Sequence, residues 1–172
     1  MTLASIRSTV LRVYPPDTNT DEVISGKYKY DELDLKKLAV HAFESIDPTF
    51  YADSQKVVDP ILVAANNFGC GSSREQAPQV IMACGVSCIV AESYARIFYR
   101  NGFNIGLPLV ECPGIAKAAK PGDELEVDFG KHEVRNLTTG KALAMKPIPE
   151  FMQQLLEAGG LMPYLKEQHA KR

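Results

Sequence analysis

The chain has no long apolar run, no broad basic stretch and no cysteine framework, and each absence removes a class of function. No apolar segment approaches the ~20 residues that span a bilayer. Residues 1–7 carry neither the charged head nor the continuous apolar core of a secretion signal, so a cytoplasmic protein is expected. The formal charge is −2 and the lysines and arginines are scattered, which leaves no electrostatic footprint for a polynucleotide. Neither nucleic acid nor a membrane is therefore expected as a partner. Cys70, Cys84, Cys88 and Cys112 are too few and too irregularly spaced for a disulfide scaffold in 172 residues. Cys84-x-x-x-Cys88 is not a CxxC pair, and His41, His132 and His169 lie far from it, so no metal site is expected in this chain. The cysteines read as buried structural thiols, with Cys70 alone inside a motif. A Gly-Lys-Ser/Thr phosphate loop and a Gly-x-Ser-x-Gly nucleophile elbow are both missing. There is no internal repeat or low-complexity linker, and the 45% hydrophobic and 23% charged fractions suit one ordinary globular domain, residues 1–172.

What the chain does contain is the run Asn67-Phe68-Gly69-Cys70-Gly71-Ser72-Ser73-Arg74-Glu75-Gln76-Ala77-Pro78, which follows the apolar stretch 61–65. Gly69 and Gly71 permit positive φ and let a ligand approach the backbone, and free N–H groups at a helix start attract a carboxylate or phosphate. Arg74 adds a planar fork able to grip a carboxylate through two parallel hydrogen bonds. The expected ligand is small and anionic. A plainer reading is a capped helix, since Ser72-x-x-Glu75 has capping-box spacing. It leaves Arg74 and the paired glycines unexplained. Pro78 would fall at the sixth helical position under that cap, which argues for a helix starting two or three residues later.

Along the rest of the chain, 6–13 reads as a strand, 18–24 as a polar loop and 34–45 as a helix ended by Asp47-Pro48. Strand 61–65, a helix over 79–83 stopped by Gly85, strand 86–91, a helix through Tyr94, Ile97 and Phe98 capped by Gly102, and strand 105–110 then alternate. Such alternation implies a mostly parallel, helix-covered sheet with the glycine run at its carboxyl edge, where ligands bind. Segments 124–129, 132–137 and 143–145, divided by turn residues, imply an antiparallel β meander. A helix over 149–157 stops at Gly159-Gly160, and 161–172 reads as a short packed segment with a charged end. Arg96 and Arg100 could join the anion site from this helix, but the simpler and favoured reading is a solvated face beside the aromatic stripe of Tyr94, Phe98 and Tyr99.

Four pieces in this order carry a family resemblance. They are Asn19-Thr20-Asp21-x-Val23-Ile24-x-Gly26-Lys27-Tyr28, the run 67–78, Ser93-Tyr94-Ala95-Arg96-Ile97-Phe98-Tyr99-Arg100-Asn101 with Gly106-Leu107-Pro108, and Gly159-Gly160-Leu161. The chain resembles the small subunit of the isopropylmalate isomerase (3-isopropylmalate dehydratase) family, which is similar to the swivelling C-terminal domain of aconitase. The resemblance implies an α/β swivel-domain fold and a hydro-lyase of leucine biosynthesis that dehydrates a 2-hydroxy acid and rehydrates the alkene with hydroxyl and hydrogen exchanged. It implies Ser72 as the base, Asp21 as a second catalytic group, Gly71, Ser73 and Arg74 as substrate contacts, and Tyr28, Lys29 and Tyr30 beside the variable substrate group. It also implies a [4Fe-4S] cluster held by a large subunit, because the family's cysteine ligands, including a CxxC pair, are missing here. The partners are then that large subunit and a small 2-hydroxy di- or tricarboxylate. The segment Tyr28-Lys29-Tyr30-Asp31 lacks the arginine of tricarboxylate-selective members. That favours 2-isopropylmalate, then dimethylmalate or citramalate, then homoaconitate. A non-catalytic carboxylate-binding module and a free-standing serine hydrolase are the readings from other classes, the latter requiring a His-Asp relay.

Overall fold

The computed structural model describes residues 3–28 and 34–170. Lys29, Tyr30 and Asp31, expected near the variable substrate group, lie outside the described residues. Seven strands form one sheet in the order β4-β3-β2-β1-β5-β6-β7. They are β1 (Ile6–Tyr14), β2 (Ile61–Ala64), β3 (Cys88–Ala91), β4 (Leu109–Glu111), β5 (Glu124–Asp128), β6 (Glu133–Asn136) and β7 (Ala142–Ala144). The strands from β1 to β4 pair in parallel, while β1, β5, β6 and β7 pair antiparallel, so β1 joins the two halves. Every residue of β2 and β3 is buried, as expected of strands covered on both faces. In β5, Leu125 and Val127 point inward while Glu124, Glu126 and Asp128 are partly exposed, the period-2 pattern of a half-solvated sheet. Filling the parallel half with side chains such as Leu62, Val63, Ile89 and Val90, all 0% exposed, stabilises the fold by about 1.5–3 kcal/mol for each large one.

Eight α-helices and one short 3-10 helix (Gly26–Tyr28) complete the described residues, the α-helices being α1 (Thr20–Val23), α2 (Leu35–Ala39), α3 (Phe50–Ser54), α4 (Gln76–Ala83), α5 (Arg96–Asn104), α6 (Ile115–Ala118), α7 (Glu150–Ala158) and α8 (Leu161–Ala170). The parallel alternation and the meander are as the sequence implies. Several boundaries differ, each for an identifiable reason. The expected helix 34–45 stops at Ala39, because Phe43 takes a left-handed φ of 56°, donates its N–H to the Val23 carbonyl and stacks on Tyr14 at 4.4 Å. Aromatic packing there overrides helical periodicity. Gly102 does not cap α5 but lies inside it, where a Cβ would come within 2.4 Å of Leu109. The left-handed residue past the end is Gly106, and residues 105–107 wrap the helix terminus, so β4 begins later than expected. The polar loop 18–24 contains α1, α3 and α6 form in segments to which the sequence pattern assigns no element, and the tail forms α8 through Ala170.

The glycine pair near the end has a packing role. A Cβ on Gly160 would stand 2.7 Å from the Asn104 carbonyl, and one on Gly106 would stand 2.8 Å from Gly159. The turn between α7 and α8 is therefore seated directly on the end of α5, in backbone contact that no side chain permits.

Candidate active site

Residues 68–70 leave β2 as an extended segment laced on both sides. Phe68 donates its N–H to Ser93 and accepts from Ala95, while Gly69 donates to Thr18 and Cys70 accepts from Thr20. These bonds align Asn19 with Cys70 and Phe68 with Tyr94 as parallel bridges. Three of the four family-like pieces thereby meet at the carboxyl edge of the parallel strands. Phe68, 0% exposed, packs edge-on against Phe98 at 5.3 Å and anchors the turn. Gly69 follows with φ 79° and passes so close to Phe98 that a Cβ would sit 2.2 Å from its ring. Only glycine meets both conditions.

Gly71, at φ 95°, turns the chain outward over Asn19 and Thr20 and presents Ser72 and Ser73 to solvent. The regular helix α4 starts at Gln76, which puts Pro78 at its third position, where a missing N–H costs no intrahelical bond. Glu75 occupies the cap without a side-chain hydrogen bond, so Ser72 and Glu75 do not form a capping box. The Ser72 hydroxyl is therefore not committed to the helix cap. A capping box does exist at α1: the Asn19 carboxamide accepts from Asp21 and Glu22, and Glu22 accepts from the Asn19 N–H. Asn19-x-x-Glu22 shows this spacing in the sequence and was the available signal for α1.

The Arg74 guanidinium forms an ion pair with Asp21 and donates to the Ile24 carbonyl at 2.8 Å. Its side chain is 15% exposed and lies over Gly26, where a Cβ would approach Nη2 to 3.0 Å. Asp21 is 59% exposed, so its carboxylate is the part of the pair that an incoming anion can displace. The Arg74 N–H is taken by the Ser72 carbonyl at 2.8 Å, which fixes the serine turn internally. Thr20, 1% exposed, sits beneath it: its hydroxyl donates to the Ser72 carbonyl at 3.0 Å and lies 3.3 Å from the Ser72 Oγ. Thr20 was not singled out from sequence, and its contact with Ser72 spans 52 positions. No local pattern reports such a contact.

Ser72, Ser73, Arg74, Glu75 and Gln76 line an open concavity of ≈ 400 Å³, large enough for a small hydroxy acid. Among the described residues no histidine hydrogen-bonds to Ser72, and His41 is engaged elsewhere, stacked on Tyr28 at 4.0 Å and beside Glu44 at 3.3 Å. Tyr28 donates its hydroxyl to Glu44 at 2.6 Å, so its side chain is held on that face rather than bonded to Ser72 or Arg74. Arg96 and Arg100 are exposed, in keeping with a solvated face.

Cys84, Cys88 and Cys112 are buried, and Cys70 is half-buried with its thiol directed at the Asp17 carbonyl. Burial first, and then Asp17, pushes the Cys70 thiol above its ordinary range, which disfavours the thiolate a metal requires. Among the described residues no three His, Cys, Asp or Glu side chains gather as a metal site. An iron-sulfur cluster therefore finds no ligand set among them. Among the same residues no helix is long and apolar enough to cross a membrane.

Comparison with known proteins agrees with this geometry. Residues 17–113 match the aconitase C-terminal domain family. The chain is 50% identical over 153 residues to the 3-isopropylmalate dehydratase small subunit of Caldicellulosiruptor bescii, covering 89% of this chain and 90% of that one. It is 48% identical over 157 residues to the isopropylmalate/citramalate isomerase small subunit of Methanocaldococcus jannaschii, covering 90% of each. A crystal structure of 3-isopropylmalate dehydratase from Methanocaldococcus jannaschii superposes with a TM-score of 0.88 at 36% identity, over 97% of this chain and 96% of that one. The chain belongs to the aconitase C-terminal domain family, among its 3-isopropylmalate dehydratase small subunits.

Proposed function

We propose that this chain is the small subunit of a cytoplasmic 3-isopropylmalate dehydratase, interconverting 2-isopropylmalate and 3-isopropylmalate together with a large subunit. The observation that carries the reading is the convergence of exposed Ser72 with the Arg74–Asp21 pair on one open concavity. Ser72 takes the proton from the carbon beside the carbinol. The C–H electron pair becomes the π bond of the alkene, and the hydroxyl leaves with its own pair. Rehydration in the opposite sense exchanges the two positions. Arg74, with Gly71 and Ser73 beside it, holds a substrate carboxylate, which displaces Asp21 from the guanidinium. Asp21 keeps the fork aimed and partly neutralised until then. Tyr28, Lys29 and Tyr30 border the variable substrate group, with citramalate and related 2-alkylmalates as the neighbouring substrates. A [4Fe-4S] cluster carried by the large subunit would supply the Lewis acid for the departing hydroxyl.

The test is reconstitution with the cognate large subunit, following alkene absorbance with 2-isopropylmalate and 3-isopropylmalate. Turnover is expected only from the mixture. Ser72→Ala is expected to lower kcat by about a thousandfold or more while the two subunits still co-elute. Activity of Ser72→Ala near the wild-type level would remove the serine from the mechanism.

A further inference from the structure

We infer that Thr20 is a positioning residue for Ser72, its hydroxyl switching from the Ser72 carbonyl to the Ser72 oxygen when the serine gives up its proton. The inference rests on the dehydratase reading above and adds to it the group that holds the base. Thr20 has one hydroxyl proton and two acceptors within reach, both on the same residue: the Ser72 carbonyl at 3.0 Å and the Ser72 Oγ at 3.3 Å. A carbonyl oxygen can only accept, so the Thr20 proton lies on that side in the resting protein and its lone pairs face the serine hydroxyl. Ser72 is then the donor across the longer contact, which describes a serine that still carries its proton. Once that proton is gone, the same contact would bring two acceptors together. Rotation about the Thr20 Cβ–Oγ1 bond places the threonine proton on the serine oxygen instead.

Three features make Thr20 suited to this role. It is 1% exposed, so water does not compete for its hydroxyl. Its backbone is fixed by the N–H bond to Cys70 at 2.9 Å and by the first turn of α1, where its own carbonyl accepts from Ile24. Its Oγ1 lies 3.5 Å from where a Gly71 Cβ would stand, so the absence of a side chain at 71 leaves the hydroxyl room to turn. A donor preorganised toward a developing anion lowers the cost of forming it, and removing one such donor typically costs 10²–10³ in kcat where it is the main stabiliser. Here Arg74 and backbone dipoles share the task, so the expected loss is about 10- to 100-fold.

The experiment measures pH–rate profiles of the reconstituted complex for wild type, Ser72→Ala, Thr20→Val, Thr20→Ala and Thr20→Ser. Wild-type turnover together with an inactive Ser72→Ala tests the dehydratase reading by itself. With that in place, Thr20→Val is expected to lower kcat at neutral pH by about 10- to 100-fold and to move the acid limb upward by about one pH unit, with KM little changed. Thr20→Ser, which restores the hydroxyl, returns the limb to its wild-type position. Thr20→Ala gives the same shift as Thr20→Val and serves where the valine variant fails to assemble. An unmoved acid limb in Thr20→Val or Thr20→Ala would reduce Thr20 to a packing residue, and a shifted limb in Thr20→Ser would overturn the inference as well.

Discussion

Arg74 has two obligations that compete for one guanidinium. One nitrogen is held by the Ile24 carbonyl and another by Asp21, so the side chain ties the serine turn to α1, and on the proposed function it must also receive a substrate carboxylate. A planar fork can keep the carbonyl bond while exchanging one carboxylate for another, whereas an ammonium, as a point charge, cannot hold both directions at once. Arg74→Lys is accordingly expected to raise KM by about tenfold with a smaller change in kcat, read from saturation curves of the reconstituted enzyme. A KM equal to that of wild type would show that the substrate never touches this fork. The residue types of this site were legible in the sequence because glycine pairs, hydroxyls and arginine in one short run have few other uses. The Arg74 pairing with Asp21 and the Thr20 contact were not legible, since both cross about fifty positions and depend on how β2 and α1 are brought together.

At the scale of elements, α1 matters more than its four residues suggest, because Thr20 and Asp21 project from it toward the serine turn. Helices this short are not stable alone, so the cap at Asn19 largely decides whether this one forms. Asn19→Ala removes the acceptor for two backbone N–H groups and is expected to cost about 1 kcal/mol of stability. It should also reduce kcat/KM, since Thr20 and Asp21 lose their fixed direction. Urea unfolding and steady-state kinetics on the same variant check both; unchanged values would mean that the helix is held by its neighbours instead. The alternation of β2, α4, β3, α5 and β4 and the later meander were readable from hydrophobic periodicity and turn residues. What periodicity misread was decided by tertiary contact. Phe43 leaves the helical pattern to stack on Tyr14, and Gly102 serves the approach of Leu109 instead of ending a helix. Periodicity records which side is apolar and carries no information about where an aromatic ring finds its partner.

For the molecule as a whole, the buried thiols set the alkaline limit of stability. Burial pushes Cys84 up to about 12 and Cys112 up to about 11, and raises Cys88 further still. In an unfolded chain these groups ionise near ~8.5, so above that pH the unfolded state sheds protons that the native state retains. Their contribution is complete below about pH 8.5 and is lost as pH climbs toward the folded values. The urea midpoint is therefore expected to hold level up to about pH 8 and to fall steadily from about pH 8.5 to about pH 11, without a change of slope in the denaturant dependence. A flat midpoint over that range would show that the thiols stay protonated in both states. On the acid side the sign reverses. Asp53 is held below the ordinary carboxylate range by Lys56, Arg12 and Thr49, so what it contributes is present above about pH 4 and disappears as pH falls.

The hollow in front of Ser72 has no ceiling. Bulk water reaches its hydroxyl, and a solvated hydroxyl keeps its proton, so on the proposed dehydratase reading the lone polypeptide is expected to be chemically quiet. Reactivity is then expected only where a second protein evicts that solvent. On the same reading, that openness would guard against stray proton abstraction from bystander metabolites before assembly.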